Sequence, residues 1–554
     1  MKLLPKSMFA MAAAAALLLA PVGQLLAQNA KPVLVVSISS VEDTLADVAY
    51  ITKAAGAEDA GRTALLFGNA FTNGIDKKKP IGMYVSPKVG GGDFVPVVFV
   101  PVTDLKTVLA TFKEQLGEPS DAGDGVKEVS AAGNPVFIKE QTGWAFISNA
   151  KENLADLPAD PAAMLGALPK EYTLAIKANV ANIPAELKKV AIDTIKEGFE
   201  RQLENNPQRV EQNAELVEKM QRNQLEALVK MVDELDEIMF GFAIDGPGKR
   251  TYLDINVTAR EGTKLAKQYA LMADAKSAFA GFLLPNAAAT LNFSATSSKE
   301  EIEQTATLLK GVKQNAMKEI DNDPNLDAAK RGAAKEVLGS MMDVLVKTVE
   351  GGKLDGGAVL MLDSKTVDFA AGGLVADGKA IEDSFKRLIE LAKNEPDFPN
   401  VKLNSGSHGG ITFHSVTAPI PDSESEARDI LGDKVNIVLG TGPKAVYIAF
   451  GKNAESLLKQ IIDKSAQDGS KSVPPMQLNI ALLPILKFAA SVDPNNEILP
   501  ELIKVLGPTG KDKINFITQP IKNGSSVRIQ VEEGVLQLIG VGVQKAQQLL
   551  PGGL

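Results

Sequence analysis

Parts of this chain are written twice, in the same order. The segment 102–113 and the segment 375–386 keep Val, Asp, Lys, a β-branched residue, Phe and Lys in register: Asp104 answers Asp377, Lys106 answers Lys379 and Phe112 answers Phe385 (377 − 104 = 273). Further on, 152–154 answers 455–457, 172–176 answers 476–480, 236–240 answers 512–516, and 251–255 answers 527–531. The aliphatic segment 34–40 finds its partner in 289–295. The offset drifts only where helical stretches differ in length. Collinear self-similarity of this kind constrains the fold to two tandem modules on one plan, near 31–284 and 285–554.

Within a module, 33–39 reads as a strand, and Ser40 caps the helix that follows. Strands recur at 81–85 and 94–100. Asp104 and Asp377 stand where a helix N-cap is expected, ahead of helices 105–116 and 378–391. Three short strands, 125–129, 135–139 and 143–147, with the turn Gln141-Thr142-Gly143, read as an antiparallel meander. The class is therefore α+β, each module a largely antiparallel sheet with packed helices and a helical-hairpin insertion. In the first module the insertion is 185–235, broken at Asn205-Asn206-Pro207, where the second has only 496–506. In the second it is 298–349, where the first has 41–79. Ala214, Val217, Leu225, Leu228, Val232 and Leu235 recur at mostly three-and-four spacing. That stripe reads as an αα-hairpin laid on its own sheet, and Gln221 interrupts the pattern a long coiled coil needs.

The N-terminus has Lys2 and Lys6, an apolar run from Met8 to about Pro21, and small residues near the exit, which is the pattern of a secretory signal peptide over 1–27, with cleavage after Ala27 favoured over Ala30. The run is shorter than the roughly 20 residues that span a bilayer. No other stretch is long enough to span, so no transmembrane segment is expected after cleavage. The expected location is the periplasm or the exterior. The chain has 59 Lys and Arg against 68 Asp and Glu, and no Cys. The acidic balance gives no footprint for nucleic acid, and the lack of Cys removes disulfides, thiolate metal sites and a thiol nucleophile.

Candidate chemistry is sparse. Asp321, Asp323, Asn325 and Asp327 alternate as the early oxygen ligands of a calcium loop do. The sixth position is Leu326 rather than Gly, however, and the twelfth is Gly332 rather than Glu. Asp323-Pro324 also reads as an N-cap followed by Pro at the first helical position, as do Asp160-Pro161 and Asp493-Pro494. His408 and His414 are the only histidines. His408-Gly409-Gly410 looks like an esterase oxyanion loop, but the chain has no Gly-x-Ser-x-Gly. Ser148 and Lys151 form a Ser-x-x-Lys, a string expected by chance about twice in such a length. Ser456 and Lys459 form another, and Ser148 reads as an N-cap. Gly440 to Lys444 and Gly507 to Lys511 lack phosphate-loop spacing, and Gly90 to Gly92 reads as a loop. Trp144 reads as packing. No catalytic residue, cofactor or firm metal site is expected.

With its signal peptide, the strand 34–39 and the run Phe94-Val-Pro-Val-Val-Phe-Val-Pro-Val-Thr-Asp-Leu-Lys106, the chain resembles large exported bacterial proteins of the kind abundant in planctomycetes, which are functionally uncharacterised. The resemblance implies no activity, substrate or site residue. The function expected from sequence is that of an exported, non-enzymatic envelope protein that binds or scaffolds, its partner an unknown protein or an apolar small molecule. The alternative is a periplasmic carrier of an apolar ligand, and a hydrolase comes third.

Overall fold

Three consecutive hairpin turns place a left-handed residue before a left-handed Gly: Asp124-Gly125, Ala132-Gly133 and Thr142-Gly143. Two successive residues with positive φ make the tight turn whose twist matches antiparallel strands. In the computed structural model these turns join β4 (Ser120–Gly123), β5 (Val126–Ala131), β6 (Asn134–Gln141) and β7 (Trp144–Ser148). The structure describes residues 31–88, 94–204, 222, 225–226, 228–324, 326–394, 398–469, 471–507 and 510–549. The segment 1–27 read as a signal peptide, the loop Gly90 to Gly92, the break at Asn205 to Pro207 and Asn325 lie outside the described residues.

The chain folds as two compact units. The first comprises residues up to 198, 229–261 and 528–554, and the second 199–228 and 262–527. Besides the meander, the first contains β1 (Leu34–Ser40), β2 (Pro80–Pro87), β3 (Phe94–Pro101), β8 (Leu174–Asn179), β9 (Leu235–Asp245) and β10 (Arg250–Ala259). All pair antiparallel, side by side as β4-β5-β6-β7-β3-β2-β1-β8-β9-β10. Successive side chains of a strand point to opposite faces. In β3, Val98 and Val100 bury against the helical side with Leu105, Val108 and Val136, while Val97 and Phe99 join Tyr84, Trp144 and Phe146 on the other side. That is why the run Phe94 to Val100 has no polar alternation.

The second unit contains β11 (Ala289–Thr296), β12 (Lys353–Asp363), β13 (Thr366–Leu374), β14 (Asn400–His408), β15 (Ile411–Pro419), β16 (Lys434–Gly442), β17 (Ala445–Phe450), β18 (Met476–Ala481) and β19 (Lys513–Ile521). They pair antiparallel in the order β14-β15-β16-β17-β13-β12-β11-β18-β19. The chain then turns at Lys522-Asn523 into β20 (Gly524–Glu532). Between β11 and β12 stands a hairpin of helices Lys299–Asn322 and Ala328–Glu350, opened by a capping box of Ser298 and Glu301. Among the described residues no helix is long and apolar enough to cross a membrane.

Several expectations need adjusting. Residues 262–284 belong with the second unit, because Ser277 donates to buried Asp355 at 2.6 Å and Phe279 and Phe282 pack on Tyr447. Residues 528–554 belong with the first unit. Helix 105–116 is broken at Phe112 into Leu105–Thr111 and Lys113–Leu116. The insertion 185–235 gives helix Ala185–Glu204, and Leu235 already belongs to β9. In the second unit, helix Leu482–Val492 precedes helix Leu499–Leu506, so 496–506 is only part of that helical region.

Candidate functional site

The most distinctive feature of the first unit is an apolar cavity of about 550 Å³. Its roof begins at β1, where Ser40 accepts the backbone N–H of Asp43 at 3.0 Å and starts helix Val41–Ala54. Gly56, at φ +65°, reverses the chain into helix Glu58–Phe71. Two glycines one heptad apart let the helices touch. A Cβ on Gly61 would stand 2.2 Å from Thr52 Oγ1, and one on Gly68 would stand 2.5 Å from Leu45 Cδ2. The C-terminal helix Glu533–Leu549 braces the turn between them, with Gln544 donating to the Gly56 carbonyl at 2.9 Å.

The floor is the helical face of the sheet, where Val98, Val100, Val129, Val136, Ile138 and Ile147 meet Leu45, Val48, Ala64, Phe67 and Phe71 from above. Among the described residues the lining contains no charged, amide, imidazole or indole side chain. Its hydroxyls are engaged locally: Thr52 donates to Val48 O, Thr63 to Asp59 O and Thr72 to Gly68 O, while Ser39 and Thr44 bond each other at 3.1 Å. The cavity opens to solvent along the roof, where the lining residues Thr63 and Phe67 are exposed. The same sheet face continues outward, since Ile38, which lines the cavity, pairs with Leu174, which pairs with Phe242. In the next row Val36 pairs with Ile176 and Ile176 with Phe240. Leu174, Ile176, Phe240 and Phe242 all remain substantially exposed.

The polar candidates are held in structural bonds. Asp323 follows helix Lys299–Asn322 as its C-cap and is not an N-cap; the N-cap is Asp327, which accepts Lys330 N–H at 2.8 Å. Asp321 pairs with Lys335, and Asn325 lies outside the described residues. No group of three metal-holding side chains occurs among the described residues. Asp160 caps a short 3₁₀ turn with Pro161 at its start, whereas Asp493 ends helix Leu482–Val492 and starts nothing. Asp104 and Asp377 are both N-caps, accepting from Lys106 and Ala380. Ser148 is no cap: it is buried at the end of β7 and donates to the Pro96 carbonyl at 2.7 Å, while Lys151 turns to Ala122 O and Asp124. Lys459, of the second Ser-x-x-Lys, pairs with Glu455. Gly409 and Gly410, at φ +56° and +81°, form the β14–β15 turn, and His408 bonds Asp463 at 2.7 Å. Trp144 is 4% exposed and edge-on to Phe99.

His414 is fully buried in the second unit. Its Nδ1 accepts the backbone N–H of Asn404, so the proton sits on Nε2, which faces Thr441 Oγ1 at 3.5 Å and Glu382 Oε1 at 3.9 Å. Burial pushes its pKa below the ordinary 6.5, against the pull of Glu382 and with the push of Lys386. The unfolded chain therefore takes up this proton at a higher pH than the folded one. The stability that neutral His414 confers is full above about pH 6.5 and falls as the pH drops below it, by up to about 1.4 kcal/mol per pH unit. Urea unfolding at about pH 7.5 and pH 5.5 is expected to show this loss, and His414→Leu is expected to flatten it. An equal pH dependence in the variant would contradict the assignment.

Comparison with protein-family models, with curated proteins and with solved structures finds no match to the chain. The cavity residues were not singled out in the sequence, because a valine that lines a void reads the same as one that fills a core.

Proposed function

We propose that this chain is an exported, non-enzymatic binding protein that carries an apolar ligand in the cavity of its first unit. The observation that carries this reading is the cavity itself: its volume lies in the range of ligand pockets, roughly 300–1,000 Å³, and its walls are hydrocarbon. Apolar walls open to water favour an apolar occupant, which would remove their surface from water. The polar clusters supply caps and buried staples, and none opens into the cavity, which supports carriage over catalysis. Organic extraction of natively purified protein, followed by mass spectrometry, is expected to recover one apolar species near stoichiometric amount. Recovery of none would remove the carrier reading and leave a scaffolding role.

We further infer that the two units are copies of one module. Two features support this. The nine strands of the second unit repeat the order of the first nine of the first unit, each label raised by ten. The registers also close on the sequence offsets. Taking Leu34 with Ala289, pairing leads through Val85 and Leu360 to Pro96 and Phe369, which stand 273 apart (369 − 96), as Asp104 and Asp377 do. In the other direction it leads through Ala178 and Ile480 to Ile238 and Ile514, 276 apart (514 − 238), as Asp236 and Asp512 are. On this alignment Ala178, not Ile176, answers Ile480. The copies differ above the sheet: helices of 14 residues each in the first, and of 24 and 23 in the second. On this reading, the carrier site belongs to the copy with the short helices.

A further inference from the structure

Resting on the carrier reading, we propose that the cavity takes the long aliphatic chain of an acyl lipid and leaves the polar head outside. The first ground is its shape. Cavity-lining residues stand on six strands that lie side by side, β5, β6, β7, β3, β2 and β1. Five inter-strand spacings of about 4.8 Å make a trough about 24 Å long. Room spread along a trough of that length suits an extended chain better than a compact ring system.

The second ground is polarity. A polar head group inside the trough would meet no charged or amide side chain, and Thr52, Thr63 and Thr72 already spend their hydroxyl protons on helix carbonyls. An unpaired polar group in such a place costs roughly 2–7 kcal/mol. The head must therefore stay in water. Leu174, Ile176, Phe240 and Phe242, on the same sheet face, give a chain longer than the trough an apolar track to follow.

The test is displacement of the neutral fluorophore N-phenyl-1-naphthylamine from the purified, delipidated chain. Competitors are the saturated fatty acids from octanoate to palmitate, hexadecanol, a lysophospholipid, an N-acylated peptide and a sterol. Each added methylene that enters the trough is expected to tighten binding about fourfold, until the trough is full. Exchanging carboxylate for hydroxyl at equal chain length should change affinity little. Whichever of free acid, lysophospholipid and acyl peptide competes best identifies the source of the chain. Ala64→Phe, which narrows the trough, is expected to weaken palmitate by roughly tenfold or more. Thr194→Val, outside the lining on helix Ala185–Glu204, should leave it unchanged. If the fluorophore binds but competition is flat with chain length, or the sterol competes best, the acyl assignment fails while the carrier reading stands. If neither the fluorophore nor any competitor binds, the carrier reading fails as well.

Discussion

Arg528→Ala is expected to destabilise the first unit by about 3 kcal/mol. Arg528 grips Asp254 with two hydrogen bonds of 2.7 Å and lies 4.1 Å above the Tyr252 ring, while Tyr172 donates to the same carboxylate at 2.9 Å. The Asp254 side chain is 4% exposed, and Arg528 is open to solvent over about a third of its surface. Removing the arginine leaves a buried carboxylate with one hydroxyl for company, and the penalty is mainly that of the orphaned charge. Replacing both partners, as Asp254→Leu with Arg528→Met, is expected to cost less than Arg528→Ala alone. Trp144 is the only Trp and sits in the core of the first unit, so its fluorescence during urea unfolding reports on that unit. A loss under about 1 kcal/mol for Arg528→Ala would mean that water reaches Asp254.

Gly281→Ala is expected to cost the second unit about 3 kcal/mol. A methyl there would stand 2.2 Å from the Ile461 carbonyl oxygen and 2.6 Å from the Ser465 nitrogen, and both are backbone atoms of helix Ala454–Asp468 that cannot swing aside. Gly281 also donates to Ser465 Oγ at 3.0 Å, and its neighbours Phe279 and Phe282 are buried. Calorimetry should show the loss in a transition that Trp144 fluorescence does not follow. An unchanged melting profile would show that the turn Ala280–Phe282 moves freely away from the helix.

What the sequence made legible was local. Gly143 announced its turn because Gly takes a positive φ at no steric cost, whereas the positive φ of Thr142 was illegible because β-branched residues rarely adopt it. Asp104 and Asp377 announced their helices because a carboxylate there meets free N–H groups. β4 stayed hidden because Ser-Asp-Ala-Gly has little intrinsic strand preference and is a strand only by pairing with β5. Ser148 misled because a Ser before a polar turn resembles a cap, whereas its partner, Pro96, is 52 residues away. The cavity was illegible for the same reason on a larger scale. Its walls come from strands far apart in the chain, β1 to β3 and β5 to β7, and from the helices above them, and whether Val98 meets another side chain or empty space depends on how far Gly61 and Gly68 let the roof helices approach each other.

The central claim is that this cavity holds an apolar molecule. Native mass spectrometry of the intact chain, purified without detergent, tests it most directly. The account predicts a discrete mass excess that organic extraction removes, that added palmitate restores, and that Ala64→Phe greatly reduces. A wild-type chain at its bare sequence mass, unchanged by added palmitate, would contradict it.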